Sequence, residues 1–144
     1  MQDKSILLVE DNDDDAELFE RAAQNCDAKV HRVDSTEQAM ACVTEGTRPR
    51  LIFLDLLLPD ARGIHFLRWV REQEEFDCTP VIVLTGLVPQ RTMKDLCALG
   101  VNAVMLKPIR FGDLQEAISA ACTFWLRFCV PLEEAEVESA GSQS

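Results

Sequence analysis

The chain of 144 residues carries a formal net charge of −11, and 47% of its residues are hydrophobic. This length matches one domain of about 150 residues and leaves no room for a second folded domain. The acidic charge, with Lys and Arg scattered along the chain, argues against nucleic-acid binding. No apolar run approaches the roughly 18 residues of a membrane span, and the first apolar run is too short for a signal peptide. We therefore expect a cytoplasmic protein without membrane association.

Short apolar runs alternate with stretches of helical spacing along the whole chain. The apolar runs predict five strands, at residues 5–9, 30–33, 51–54, 81–84 and 101–106. The stretches that follow them predict five helices, at residues 13–24, 35–44, 64–73, 90–99 and 111–128. Ser35 before Gln38 is an N-cap signature, and Gly100 is placed to end the fourth helix. The alternation predicts an α/β fold, a five-stranded parallel sheet with helices on both faces.

Acidic and basic residues follow the predicted strands. Asp55 lies within the apolar segment LIFLDLLLPD, where a carboxylate is costly to desolvate unless it is paired or binds a metal. In parallel α/β sheets, ligands bind beyond the carboxyl ends of the strands. The residues at those ends are Glu10 and Asp11, Asp55, Thr85 and Lys107. We therefore expect these side chains to lie on one rim of the sheet.

Three carboxylates at one rim repel one another unless a cation neutralises them. Mg²⁺ prefers hard oxygen ligands, so the sequence predicts a magnesium site at Glu10, Asp11 and Asp55. Asp55 can then act as a nucleophile toward phosphorus and form an aspartyl phosphate. Lys107 and the Thr85 hydroxyl would stabilise the added phosphoryl oxygens.

Each of these residues also has a simpler structural interpretation. The acids at residues 10–15 could form a solvated loop and the charged first turn of a helix. Asp55 could cap a turn, Thr85 could merely end a strand, and Lys107 could be a surface lysine. Their conjunction favours a site, because each one terminates an apolar strand in the required order.

The segments ILLVEDNDDD, LIFLDLLLPDARGIHFLRWVR, VIVLTG and VMLKPI together resemble the receiver domain of two-component response regulators, over roughly residues 4–128. The resemblance implies a flavodoxin-like fold and Mg²⁺-dependent phosphoryl transfer from a histidine kinase to Asp55. It implies that Glu10 and Asp11 are the acidic pair, that the backbone carbonyl of Leu57 is a further metal ligand, and that Thr85 and Lys107 act on the phosphoryl group. Such a protein promotes its own phosphorylation and dephosphorylation without being an enzyme in the usual sense.

Some features depart from the pattern of this family or leave another function open. Val104 stands where the family often has the aromatic residue of its switch, so an aromatic switch is not expected. Leu57 and Leu87 are apolar where many relatives carry polar groups, which predicts slow hydrolysis of the phosphoryl group. A hydrolase of the haloacid-dehalogenase type would need Asp in place of Leu57, and a nucleotide enzyme would need a Gly-rich loop. A receiver-fold adaptor that acts without phosphorylation remains the alternative.

The predicted last helix carries more apolar residues than one packing stripe requires. Trp125 belongs to the stripe, whereas Phe124, Leu126, Phe128 and Val130 extend it around the helix. This surplus predicts a homodimer through the C-terminal helix or a groove for another partner. The alternative is that the chain's own tail buries the end of the helix. The short FWL segment also resembles stand-alone regulators of bacterial phytochrome kinases. We assign residues 1–130 to the receiver domain and residues 131–144 to an acidic, disordered tail.

Overall fold

The computed structural model describes residues 4–56, 61–87 and 89–130. Its strands are β1 (Ser5–Val9), β2 (Lys29–Val33), β3 (Leu51–Leu56), β4 (Val81–Thr85) and β5 (Ala103–Leu106). Its α-helices are α1 (Asp13–Ala22), α2 (Thr36–Thr44), α3 (Ala61–Glu72), α4 (Gln90–Ala98) and α5 (Phe111–Cys122). A short 3₁₀ turn, Glu74–Phe76, precedes β4, and a π-helical turn, Thr123–Phe128, follows α5.

The five strands form one parallel sheet in the order β2-β1-β3-β4-β5. Parallel neighbours need crossover connections, and each of the first four strands is followed by a helix that supplies one. The strand order turns back at β1, where the chain passes to β2 on one side and to β3 on the other. A reversal of this kind opens a crevice at the carboxyl ends of β1 and β3. The predicted flavodoxin-like receiver fold is confirmed.

The hydrophobic core has one layer on each face of the sheet, because alternate residues of a strand point to opposite faces. On one face, Ile6, Leu8 and Phe53 pack with α1 and α5. The rings of Phe53 and Phe19 meet edge to face, with centroids 4.9 Å apart. On the other face, the strands pack against α2, α3 and α4. The central strands are therefore covered on both faces, which explains their continuous apolar sequence.

The helix caps lie where the sequence predicts them, whereas some strands and helices begin or end at residues other than the predicted ones. Ser35 Oγ accepts the backbone N–H of Gln38 at 3.1 Å, and Gly100 follows α4 with a φ of 71°. Strand β5 begins two residues later than expected, because Asn102 bonds to the backbone of Val81 through both its main chain and its side chain, each at 2.8 Å. Helix α1 ends at Ala22, two residues earlier than expected.

The C-terminal helix differs from the prediction in its last six residues. The α-helix stops at Cys122, and a π-helical turn replaces the expected last turns of α-helix. A wider turn rotates the side chains that follow it, so Leu126 lies in the core and Trp125 is only partly buried. Phe124 and Phe128 remain exposed, and the surplus apolar surface is therefore smaller than the sequence indicated.

Two predictions fall on residues whose placement is not described. The acidic tail at residues 131–144 and the metal-ligand role of the Leu57 carbonyl both lie outside the described residues. Within the described part of the chain, no helix has the length and apolar character needed to cross a bilayer.

The packing of Phe53 predicts a large loss of stability on truncation. Phe53→Ala should lower the free energy of unfolding by about 3–5 kcal/mol, because it removes a fully buried ring and leaves a cavity. Ile109→Ala is the control, since Ile109 is fully exposed, and its effect should stay within about 0.5 kcal/mol. Urea denaturation measures both variants. Equal losses would contradict this description of the core.

Candidate functional site

The carboxyl ends of four strands bring the candidate residues to one rim of the sheet. Glu10 follows β1, Asp55 is the fifth residue of β3, Thr85 ends β4 and Lys107 follows β5. Asp55 stands opposite Leu84 in the parallel register, one position from Thr85. The Lys107 amide donates to the Thr85 carbonyl at 2.7 Å and extends the ladder beyond β5. The sheet therefore fixes the backbone of every one of these residues.

Glu10 is held through its main chain and its side chain. Its backbone N–H donates to the Val33 carbonyl at 3.0 Å, and its own carbonyl accepts from Arg32 Nε at 2.9 Å. Its Oε2 accepts the backbone N–H of Asn12 at 3.0 Å. Arg32 also pairs with the exposed carboxylate of Asp13 at 2.9 Å. These contacts hold Glu10 in a buried position that its charge alone would oppose.

Lys107 lies between the carboxylates. Its Nζ is 2.8 Å from Asp55 Oδ1, 3.0 Å from Asp15 Oδ2 and 3.4 Å from Glu10 Oε1. The Asp55 side chain is only 1% exposed and that of Glu10 only 3% exposed. Two buried carboxylates thus share one partly exposed ammonium group, which compensates part of their desolvation cost.

The predicted carboxylate cluster differs in membership from the observed one. Asp11 is exposed, and among the described residues it shows no hydrogen bond or ion pair. Asp15, which the sequence analysis counted only among the helix N-terminal acids, contacts Lys107 instead. Its spacing from the N-cap residue Asn12 predicts a bond to the Asn12 N–H, but that N–H donates to Glu10, so the spacing alone does not indicate Lys107. Arg32 was also missed, because nothing in the sequence of β2 distinguishes it.

Burial and charge shift the protonation of this cluster. Burial raises the pKa of Glu10 to about 8, and the neighbouring Asp55 carboxylate adds to the rise. The Asn12 N–H and the Lys107 charge oppose it. For Lys107, burial lowers the pKa, but the hydrogen bonds to Asp55 and Asp15 and the charges of Asp55 and Glu10 more than offset it, so the pKa is raised. The ammonium group therefore stays charged while Glu10 can take up a proton.

The donor set suits a hard divalent cation. Asp55 Oδ2 is buried and has no hydrogen-bond partner within the described residues. A bound cation would satisfy this oxygen and remove the need for a proton on Glu10. In the described part of the chain, no group of three or more His, Cys, Asp or Glu side chains is arranged to hold a metal ion. Mg²⁺ does not require such a group, because it keeps several waters and uses one or two carboxylates. Glu10 and Asp55 thus offer two buried carboxylates of the kind that the ion prefers, and Asp11 lies exposed one residue after Glu10.

Thr85 is fully buried, and its hydroxyl donates to the Leu87 carbonyl at 3.2 Å. The Thr85 hydroxyl is therefore tied to the loop that leads into α4. The Leu87 side chain itself is 60% exposed. Val104 is partly buried at the edge strand β5, opposite Val83 of β4. Because position 104 is a valine, no aromatic ring lies against Thr85 from this position.

This arrangement of sheet, acids, hydroxyl and lysine defines a receiver domain. The sequence profile of the response regulator receiver domain matches residues 6–119. The chain therefore belongs to the family of response regulator receiver domains.

Particular members of the family resemble the whole chain. A probable methanogenesis regulatory protein, FilR2 of Methanothrix harundinacea, is 30% identical over 129 residues, which cover 84% of this chain and 83% of the relative. The phosphorylated cyanobacterial phytochrome response regulator RcpA superposes with a TM-score of 0.81 at 28% identity and covers 90% of this chain and 98% of its own. The Mn²⁺-bound form of response regulator Rcp1 has a TM-score of 0.77 at 28% identity, with 89% and 98% covered.

The position of Lys107 predicts a stability effect that needs no phosphorylation. Lys107→Met should lower the free energy of unfolding by about 3 kcal/mol in metal-free buffer, because two buried carboxylates lose their shared cation. Arg110→Met removes a cation from the exposed pair with Asp113 and should cost less than about 1 kcal/mol. Urea denaturation in the presence of a chelator measures both. The description of the cluster fails if Lys107→Met is as stable as Arg110→Met.

Proposed function

We propose that this protein is a response regulator that accepts a phosphoryl group from a histidine kinase on Asp55 and signals through a changed protein–protein surface. The observation that supports this most is the pairing of Asp55 and Lys107. One Asp55 oxygen lies 2.8 Å from Nζ, while the other is buried without a hydrogen-bond partner among the described residues. A carboxylate arranged in this way has one oxygen positioned by a cation and one oxygen available to attack.

The proposed chemistry assigns a role to each residue of the rim. Asp55 is the nucleophile: its oxygen forms a bond to phosphorus while the bond from phosphorus to the donor atom breaks. Lys107 holds the carboxylate before transfer and offers its positive charge to the phosphoryl oxygens afterwards. The Thr85 hydroxyl exchanges its bond to the Leu87 carbonyl for one to a phosphoryl oxygen. Burial of Asp55 keeps bulk water away from the bond that forms.

Mg²⁺ is the proposed cofactor. Glu10, Asp11, Asp55 and the backbone carbonyl of Leu57 would hold it. When bound, it would compensate the negative charge of the carboxylates and of the phosphoryl oxygens. The Mn²⁺-bound form of Rcp1, which this chain resembles, supports a divalent ion in a protein of this kind.

A histidine kinase is the proposed phosphoryl donor. The similarity to RcpA, which is a phytochrome response regulator, supports a bacterial phytochrome as that kinase. The FWL segment of the C-terminal turn is a second, independent resemblance to regulators of this type. The cytoplasmic location that the sequence predicts suits such a partner and stays a prediction.

The proposed signalling surface lies beside the site. Leu87, Leu106 and Ile109 are largely exposed, and they flank Thr85 and Lys107 in the sequence. Movement of the Thr85 hydroxyl would break its bond to the Leu87 carbonyl, and the Leu87 loop would then be free to shift. Phosphorylation would thus change the apolar surface that the loop presents to a partner.

Phosphorylation is tested by incubating the protein with acetyl phosphate and Mg²⁺ and measuring its intact mass. The wild-type chain should gain one phosphoryl group, and Asp55→Asn should gain none, because the amide is a poor nucleophile.

Asp11→Ala should bind Mg²⁺ much more weakly in calorimetry and should be phosphorylated far more slowly, since too few hard ligands remain.

One control variant tests whether the loss of any nearby acid would have the same effect as the loss of Asp11. Asp14→Ala is the matched control for Asp11→Ala, because Asp14 is an exposed acid of the same acidic segment. It should behave as the wild type. A wild-type chain that gains no mass, with Mg²⁺ and donor in excess, would support the adaptor alternative that Val104 raises.

A homodimer through the C-terminal segment is also proposed. Phe124, Phe128 and Val130 are exposed on the π-helical turn and just after it, where they present an apolar patch. Trp125 lies beside the patch with its ring edge to face with Phe124, centroids 4.9 Å apart. Burying a large apolar side chain contributes roughly 1.5–3 kcal/mol, counted on both subunits of a symmetric dimer.

Sedimentation equilibrium tests the dimer. Phe128→Glu should convert dimers to monomers, because it places a charge at the 68% exposed position of the patch. Leu106→Glu is a control of similar exposure on β5, and it should leave the association constant unchanged. If the wild type is monomeric at concentrations of tens of micromolar, on the order of ordinary assays, the patch does not form this interface.

A further inference from the structure

Asp15 makes a contact that the roles proposed above do not include. Its Oδ2 lies 3.0 Å from Lys107 Nζ, closer than the Glu10 oxygen at 3.4 Å. An ammonium group has three N–H donors. Asp55, Asp15 and Glu10 therefore occupy all three donors of Lys107. Two of these acceptors lie on strand ends, and Asp15 alone lies on a helix.

The start of helix α1 explains why the Asp15 carboxylate reaches Lys107. Asn12 caps the helix, and its Oδ1 accepts the backbone N–H of Asp15 at 2.9 Å. In a capping box, the third residue after the cap returns its carboxylate to the backbone N–H of the cap residue. Here the Asn12 N–H already donates to Glu10 Oε2 at 3.0 Å. The Asp15 carboxylate is left to bind Lys107.

A ring of contacts results, from Lys107 to Glu10, to Asn12, to Asp15 and back to Lys107. We propose that Asp15 is a positioning residue that anchors Lys107, so that the third N–H of its ammonium group stays directed at Asp55. This role rests on the proposed function of Asp55. If Glu10 bound a metal ion, its oxygen would no longer be available to Lys107, and Asp15 would be the anchor that remains. The Lys107 N–H that donates to Asp55 can then donate to a phosphoryl oxygen instead, while Asp15 keeps the long side chain in place.

Asp14 provides a matched control for this proposal. Asp13, Asp14 and Asp15 all lie in the first turn of α1, so replacing any of them removes the same charge from the same helix end. Asp13 pairs with Arg32 and is unsuitable. Asp14 is exposed, and the described residues show no ion pair to it. Any difference between Asp15→Asn and Asp14→Asn therefore reports the contact with Lys107.

The experiment has a structural arm and a kinetic arm. The structural arm records the ¹⁵N–¹H signal of the Lys107 ammonium group in metal-free protein at low temperature, assigned by its loss in Lys107→Arg. Hydrogen bonding slows exchange of this group with water, so the signal should be present in the wild type and in Asp14→Asn. In Asp15→Asn, one of the three acceptors is lost, so the signal should broaden and its exchange with water should quicken. Asp15→Glu should restore it at least partly, because its longer carboxylate can still reach Nζ.

The kinetic arm measures the rate of mass gain from acetyl phosphate in saturating Mg²⁺. Asp15→Asn should be phosphorylated about tenfold more slowly than Asp14→Asn, which corresponds to about 1.4 kcal/mol of barrier. An Asp15→Asn protein that keeps both the ammonium signal and the rate of Asp14→Asn overturns the proposal. If the wild type itself gains no mass, the proposed function of Asp55 has failed, while the structural arm still decides whether Asp15 anchors Lys107.

Discussion

The site depends on one cation placed between carboxylates from three separate segments. Lys107 follows β5, Glu10 follows β1, Asp55 lies near the end of β3 and Asp15 lies in the first turn of α1. Without this ammonium group, two buried carboxylates would face each other at the rim with only a proton to relieve their repulsion. The rise of the Glu10 pKa to about 8 shows how strongly the pocket opposes a second negative charge. Because three carboxylates surround a single ammonium group, excess negative charge remains at the rim.

The parallel sheet makes this placement possible. Every strand runs in the same direction, so the residues that follow the strands gather at one edge although they are far apart in the sequence. Backbone contacts beyond the strands then fix the site: Glu10 bonds to Val33, and Lys107 bonds to Thr85. The side chains of the site can therefore be strained or unsatisfied without loss of the fold, because two core layers hold the sheet.

The sequence predicts the fold well, because apolar runs and helical spacing report burial directly. The strand ends also locate Glu10, Asp55, Thr85 and Lys107, since each end is marked by a change from apolar to polar residues. The contacts of Asp15 and Arg32 could not be predicted from the pattern of apolar and polar residues. Their roles depend on which hydrogen-bond partners remain after neighbours have bonded, and the Asn12 N–H was taken by Glu10 rather than by Asp15. The π-helical turn was not predicted either, because a single wider turn leaves the apolar pattern of TFWLRF nearly unchanged.

We propose that Asp55, and no other acid of this chain with net charge −11, becomes phosphorylated. Borohydride reduction tests this directly, because it converts an aspartyl phosphate to homoserine and leaves free carboxylates intact. After incubation with a phosphodonor and Mg²⁺, reduction followed by peptide mass analysis should show homoserine at position 55 and Asp at positions 11, 13, 14 and 15. Homoserine at any of the other acids, with Asp55 unchanged, would contradict the assignment of the site.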